Sequence, residues 1–201
     1  VWRDGGSLVV SAAATQTMTI APVPVFAYLA PTDLVGIGIL AGTLLICRIP
    51  TLVMVPINAL VITRMTRDAV GDAHGAVVRV SLGISAIVCG VCVIGGVVLI
   101  VVGPLLLRIL IGERYPATPM LFFWEMVVVG LMCAASVLRL GVLTLGYGSR
   151  QLPVWIASVA VFVAALAIPG ESMTRIVTGQ LAAATVAVIG LLLLLQRARN
   201  A

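Results

Sequence analysis

Polar and charged residues fall in clumps along this chain, separated by long runs in which nearly every position is apolar. No charge interrupts the sequence between Asp4 and Asp33, between Arg79 and Arg108, from Gln151 to Gly170 or from Ile176 to Gln196. A helix needs roughly 20 predominantly apolar residues to cross a hydrocarbon core about 30 Å thick, and each of these runs reaches that length. Two further runs qualify despite charges inside them: Leu34 to Ile62, interrupted by Arg48, and Met120 to Leu145, interrupted by Glu125 and Arg139. The pattern predicts an all-α integral membrane protein, a bundle of six transmembrane helices over about 7–30, 34–62, 80–106, 119–146, 151–169 and 175–196.

Composition removes the soluble alternatives. Hydrophobic residues make up 62% and charged residues 9%, against about 25% charged in an ordinary soluble domain. All twelve basic residues are arginine. With no basic run and no aromatic-basic stripe, the net charge reads as membrane orientation, and no nucleic-acid partner is expected. With the N-terminus in the cytoplasm, seven arginines (Arg3, Arg64, Arg67, Arg79, Arg150, Arg197, Arg199) lie inside and three (Arg108, Arg114, Arg175) outside. Cytoplasmic loops carry the excess of Lys and Arg, so both termini are expected inside. Aromatics suit that frame, with Tyr28, Tyr115 and Trp124 near the outer boundary and Tyr147 and Trp155 near the inner one. The first apolar run is too long for the h-region of a signal peptide, typically about 7–15 residues. The start at Val1, close to a helix, is expected of a fragment of a longer chain.

Charged and polar residues at membrane depth mark candidate sites, because a charge at the bilayer centre costs at least about 2.5–3.5 kcal/mol and turns toward a partner or a watery cavity. On the second span Thr43, Cys47, Thr51 and Asn58 share an arc of about 80°, with Arg48 about 60° beyond Thr51. Pro50 and Pro56 each remove a backbone donor, so this helix is expected to bend just past Arg48. On the first span Ser7, Ser11, Thr15 and Thr19 recur every fourth residue beside Gln16 and Thr17; they either line a cavity or hydrogen-bond to neighbouring helices. On the fourth span Glu125, Met132, Ser136 and Arg139 share an arc of about 60°, yet Glu125 and Arg139 stand about 21 Å apart along the axis and cannot pair. Glu125 is expected near the outer boundary, where it is either solvated or couples a cation. Arg139 can snorkel toward the cytoplasmic side.

Enzymatic chemistry finds little footing. Cys89-Gly-Val-Cys92 lacks the helix N-terminus or neighbouring cation that activates a CxxC thiol. It shares an arc of about 80° with Ser81, Ser85, Gly96 and Gly103, which reads as a small-residue seam between helices. Cys47 and Cys133 stand isolated in other spans, and no disulfide framework or metal site is implied. The single histidine, His74, falls in a loop, far from any membrane-embedded serine such as Ser85. No phosphate-cradling glycine loop of the Walker type appears; Gly146-Tyr-Gly148-Ser-Arg150 reads as a turn. No catalytic residue, cofactor or metal is expected, and the chain is not expected to be an enzyme.

Three stretches carry a resemblance: Val35-Gly36-Ile-Gly38 leading through Ala41 to Pro56, Gly112-Glu-Arg-Tyr115-Pro-Ala117-Thr-Pro-Met-Leu121, and Leu145-Gly146-Tyr-Gly148 before Trp155. Together they resemble the second six-helix lobe of a bacterial polysaccharide flippase, a lipid-linked oligosaccharide exporter of the multidrug/oligosaccharidyl-lipid/polysaccharide superfamily. The similarity runs from the first span to the sixth through loose hydrophobic patterns, and departs from the family where this chain has Gly38 in place of a frequent aromatic. It implies two lobes around a central cavity in the bacterial cytoplasmic membrane. The partners implied are membrane lipid, a polyprenyl-pyrophosphate-linked sugar and an N-terminal six-helix lobe. Cationic side chains in the cavity of such proteins match Arg48 here. A guanidinium offers five donors in a fork suited to phosphate, so Arg48 is expected to hold the anionic head, helped by Asn58 and Gln16, with Arg139 a further candidate. Two alternatives remain open: a cation-coupled drug or solute exporter, for which Glu125 is the one clear coupling carboxylate, and a non-transporting scaffold of a polysaccharide-assembly complex.

Overall fold

The computed structural model describes residues 13–70, 74–112 and 118–199, and among them every regular element is helical. After a helical stretch at 13–20 come α1 (Pro22–Leu29), α2 (Leu34–Cys47), α3 (Ile49–Val70), α4 (His74–Ile111), α5 (Pro119–Thr144), a 3-10 turn (Gly148–Gln151), α6 (Leu152–Leu166) and α7 (Ser172–Arg199). Five segments are long and apolar enough to cross a membrane: Leu34–Arg67, His74–Ile111, Pro119–Thr144, Gly148–Leu166 and Ser172–Arg199. They correspond to the second through sixth predicted spans. The beginning of the first predicted span, with Ser7 and Ser11, lies outside the described residues. In lipid a helix satisfies its own backbone donors and acceptors, which is why such apolar runs take this form.

The helix ends follow local chemistry. Asp33 accepts from the Gly36 N–H at 2.8 Å, an N-cap that starts α2. Pro119 opens α5, where its missing N–H would have had no partner anyway. Gly146, at φ +81°, turns the chain after α5 in a conformation that other residues rarely adopt. The longest helix, α4, exceeds its predicted span at both ends. At 38 residues it extends about 57 Å, more than a bilayer with its headgroups, so its start at exposed His74 and Arg79 reaches beyond the apolar slab.

The bundle is organised around α5, whose apolar window is 61% buried against 17% for that of α4. Helix α4 packs antiparallel along it through small residues. The Ser85 hydroxyl donates to the Ala134 carbonyl at 3.3 Å and the Cys89 thiol to the Gly130 carbonyl at 3.5 Å. A Cβ on Gly130 would lie 2.7 Å from that of Cys92, and one on Gly103 would lie 2.6 Å from the Phe122 ring, so both glycines set how closely the helices approach. Helices α6 and α7 form a second antiparallel pair, fastened by Ser158, which donates to the Ala183 carbonyl at 2.7 Å. That pair meets α5 through Ala135, Leu138 and Val142 against Trp155, Ala187, Leu191 and Leu195. Trp155 is fully buried in this contact and does not face outward from the bundle.

The outward faces stay apolar. On α4, Ile87, Val91, Ile94, Val98, Val101 and Leu105 are each more than half exposed. Water would penalise such a surface heavily. Together with the five spans it marks a multi-pass membrane protein.

Candidate functional site

The site begins where the second predicted span breaks. Its two halves meet at Arg48, which sits between α2 and α3 at φ −79° and ψ −9° and shares its own N–H between the Leu44 and Ile46 carbonyls. Pro50 explains the sharing: it has no N–H to give to Ile46, the residue four positions earlier. Beyond the break, the Arg48 carbonyl accepts from the Thr51 hydroxyl at 2.6 Å and from the Thr51 N–H at 2.9 Å. The helix is therefore interrupted at Arg48 itself, where the prolines were expected to disturb it.

The Arg48 side chain crosses to the first helical stretch, where its terminal guanidinium nitrogen donates to the Thr19 carbonyl. Pro22 and Pro24 deprive the neighbouring Met18 and Ile20 carbonyls of their usual donors, and the helix loosens into a turn at Ala21. The Nε of Arg48 is buried without a partner. Arg48 also borders a cleft of about 450 Å³ with Val23, Gly38, Ala41, Leu45 and Ile111.

Glu125 differs from its expectation as a solvated boundary residue. It lies on the central helix with no exposed surface, and neither carboxyl oxygen has a hydrogen-bond partner. Its position explains this, because Phe122, Met126, Val128 and Val129 around it on α5 are buried as well. The Cys47 thiol, beside Arg48 in sequence, donates to the Phe122 carbonyl at 3.8 Å, one turn from Glu125. Residues close in sequence to Arg48 and to Glu125 thus touch where α2 packs on α5.

The remaining predicted residues fall elsewhere. The Asn58 amide nitrogen donates to the Ser136 hydroxyl at 3.4 Å, joining α3 to α5, and its carbonyl oxygen is buried without a partner. Ten residues separate Asn58 from Arg48, about 15 Å along a helix, so the two do not form one contact site. Gln16 is exposed and is not among the residues of the Arg48 cleft. Thr19, three residues on, is the one that meets Arg48, through its backbone, while its hydroxyl donates to the Thr15 carbonyl at 2.9 Å. Arg139 is half-buried near the C-terminal end of α5, and its carbonyl accepts from the Gln151 amide at 3.0 Å.

The thiols are less scattered than their sequence positions suggest. Cys47 and Cys133, read as isolated, join Cys92 in one buried cluster at the junction of α2, α4 and α5. All four cysteines are free. Among the described residues no group of His, Cys, Asp and Glu has the arrangement of a metal site.

Sequence reasoning missed a larger feature. A cavity of about 790 Å³ opens where α2, α5 and α7 begin, walled by Phe26, Leu121, Trp124 and Val177, with Asp33 and Glu171 at its polar edge. Its only advance signal was the acidic residue directly preceding α2 and α7, which also reads as ordinary helix capping. Asp33 is occupied in that way, and the Glu171 carboxylate accepts from the Thr174 hydroxyl at 3.2 Å. Comparison of the chain with protein-family models, with curated proteins and with solved structures yields no match.

Proposed function

We propose that this chain is one lobe of a membrane transporter that carries a polyprenyl-pyrophosphate-linked oligosaccharide between leaflets by alternating access. The observation that carries the reading is Arg48: a guanidinium at membrane depth, on a helix break, bordering a cleft. Broken helices near the bilayer midplane border the binding sites of many secondary transporters. A guanidinium can form paired, charge-assisted hydrogen bonds to a pyrophosphate while the polyprenyl tail stays in lipid. The lobe would act beside an N-terminal six-helix lobe in the bacterial cytoplasmic membrane, with both termini of this segment inside, moving lipid-linked sugar outward for surface-polysaccharide synthesis without catalysing a reaction.

One observation favours a second reading. The buried carboxyl of Glu125 suits a cation-coupled drug or solute exporter, which needs a coupling acid. Transport assays in vesicles holding the full-length protein separate the two. Loss of lipid-linked sugar translocation in Arg48→Ala, with partial recovery in Arg48→Lys, is expected of the flippase. Unchanged translocation in Arg48→Ala would reject it, and uptake of an organic cation that fails in Glu125→Gln would favour the exporter.

A further inference from the structure

The cavity of about 790 Å³ at the start of α2, α5 and α7 takes no part in the proposed transport step. Its size falls in the range of about 300–1,000 Å³ common to small-molecule sites. Phe26, Gly36, Leu121 and Val177 form a buried floor. Val35, Met120 and Trp124 stand at the mouth as exposed apolar side chains, the character of a surface that meets lipid. A tryptophan with one apolar and one polar side suits such a boundary.

The polar edge of the cavity has two signs. Asp33 and Glu171 supply the negative side, and none of the lining residues is basic. Each carboxylate engages one oxygen locally: Oδ1 of Asp33 accepts from the Gly36 N–H, and Oε2 of Glu171 from the Thr174 hydroxyl. The other oxygen of each has no hydrogen bond among the described residues. A Cβ on Gly36 would meet that second Asp33 oxygen and, at 2.9 Å, the Phe26 ring. Glycine at this position therefore lets the carboxylate and the ring stand side by side at the wall. The cation nearest in sequence, Arg175, is held instead by the Leu166 carbonyl at 3.1 Å and the Ser172 hydroxyl at 3.3 Å.

Helix α5 supplies the positive side. Its Thr118 makes no side-chain cap, and Pro119 has no N–H. The positive end of this 26-residue helix thus borders the cavity through Thr118 and Met120 with no carboxylate of its own.

We infer that the cavity seats the headgroup of a phosphatidylethanolamine molecule from the surrounding bilayer. Its ammonium lies against the open oxygens of Asp33 and Glu171, its phosphate against the uncapped start of α5, and its acyl chains leave past Val35 and Trp124. A primary ammonium brings three N–H donors, which the carboxylates and the Thr118 and Thr178 hydroxyls can accept. A choline head brings no such donor, and a phosphatidylglycerol head brings no cation, so the same walls select against both. Seated in this way, one lipid bridges the starts of α2, α5 and α7. The inference rests on neither reading of the transport function, because Arg48 and Glu125 are outside the lining.

Native mass spectrometry of the purified chain in an uncharged detergent tests it, with dioleoyl phosphatidylethanolamine, phosphatidylcholine and phosphatidylglycerol at equal concentration. The ethanolamine lipid is expected to be retained about tenfold more tightly than either of the others, the size of effect that charge-assisted hydrogen bonds give. Asp33→Asn combined with Glu171→Gln is expected to bring it down to the level of phosphatidylcholine. Asparagine still accepts the bond that caps α2, and unchanged retention of phosphatidylcholine reports that the fold is intact. Thr178→Trp, which keeps both carboxylates and fills the mouth, is expected to lower retention of the ethanolamine lipid independently.

Equal retention of the three lipids by the parent chain overturns the inference, as does a preference for the ethanolamine lipid that survives the Asp33→Asn, Glu171→Gln pair. O-phosphoethanolamine carries the same two charges without acyl chains and is expected not to displace the lipid. Displacement at concentrations comparable to the lipid's own overturns the assignment to a bilayer lipid. None of these results bears on Arg48, whose test uses a different ligand.

Discussion

The guanidinium of Arg48 donates to the backbone carbonyl of Thr19, joining a break between α2 and α3 to the turn at Ala21. Prolines stand on both sides of this junction, Pro22 and Pro24 on one strand of the chain and Pro50 on the other. Each removes a donor that a continuous helix would have used. The same arrangement leaves Arg48 able to exchange a neutral carbonyl for an anionic ligand, a stronger acceptor.

Close packing of α4 on α5 depends on glycine. Replacement of Gly130 by leucine forces apart backbones that already place a Cβ 2.7 Å from Cys92, and is expected to destabilise the protein by about 1–3 kcal/mol, as overpacking does in tight cores. The comparison is Gly90→Ala on the outward face of α4, where nothing lies within 4 Å. Thermal unfolding in detergent should show a clear loss for the first and little change for the second. Equal effects would mean that α4 does not meet α5 through this seam.

Thiol accessibility separates packing from redox chemistry. Cys47, Cys92 and Cys133 are almost wholly buried, and Cys89 is half-buried with its thiol on the Gly130 carbonyl. In native detergent N-ethylmaleimide should modify Cys89 first and leave the other three untouched, whereas all four react after denaturation. Rapid modification of Cys92 would contradict the seam.

The two described tryptophans sit in opposite surroundings. Trp124 is 39% exposed and Trp155 has no exposed surface. In vesicles of brominated lipid, with Trp2 replaced by Phe throughout, a Trp155→Phe variant should retain strong quenching of its Trp124 fluorescence, and a Trp124→Phe variant should lose most of that component. The reverse order would place α6 at the lipid face.

Asn58 and Ser136 bridge α3 to α5, and a double-mutant cycle with Asn58→Leu and Ser136→Ala should yield a coupling of about 0.6 kcal/mol, the usual size for such bonds between membrane helices. A coupling of zero would mean that the 3.4 Å contact contributes nothing to the bundle.

Much of this architecture was legible from the spacing of charges. Long apolar runs located the second to sixth spans, two of them despite charges inside, and the prolines around Arg48 located the helix break, because both are local consequences of chain chemistry. What spacing could not supply was lateral order. Nothing around Glu125 in sequence distinguishes a boundary position from the middle of a bundle; its burial follows from α5 being central, which depends on how all the helices pack. Cys47 and Cys133 gather with Cys92 for the same reason. The helical wheel did place Asn58 and Ser136 on polar faces, yet it could not show that those faces meet. Gln16 was chosen for its side chain, whereas the contact to Arg48 comes from the Thr19 backbone, which a pattern of side chains does not register.

Binding of a polyprenyl-pyrophosphate-linked sugar is the most direct test of the central claim, measured by native mass spectrometry of the chain in mild detergent, with Arg48→Ala and Arg48→Lys beside it. The account predicts a specific complex with the parent chain, weakened about ten- to a hundredfold in Arg48→Ala through loss of charge-assisted hydrogen bonds worth about 1.5–3 kcal/mol, and partly kept in Arg48→Lys. Equal binding by the parent and Arg48→Ala chains, or no binding even when an upstream lobe is supplied, would contradict it.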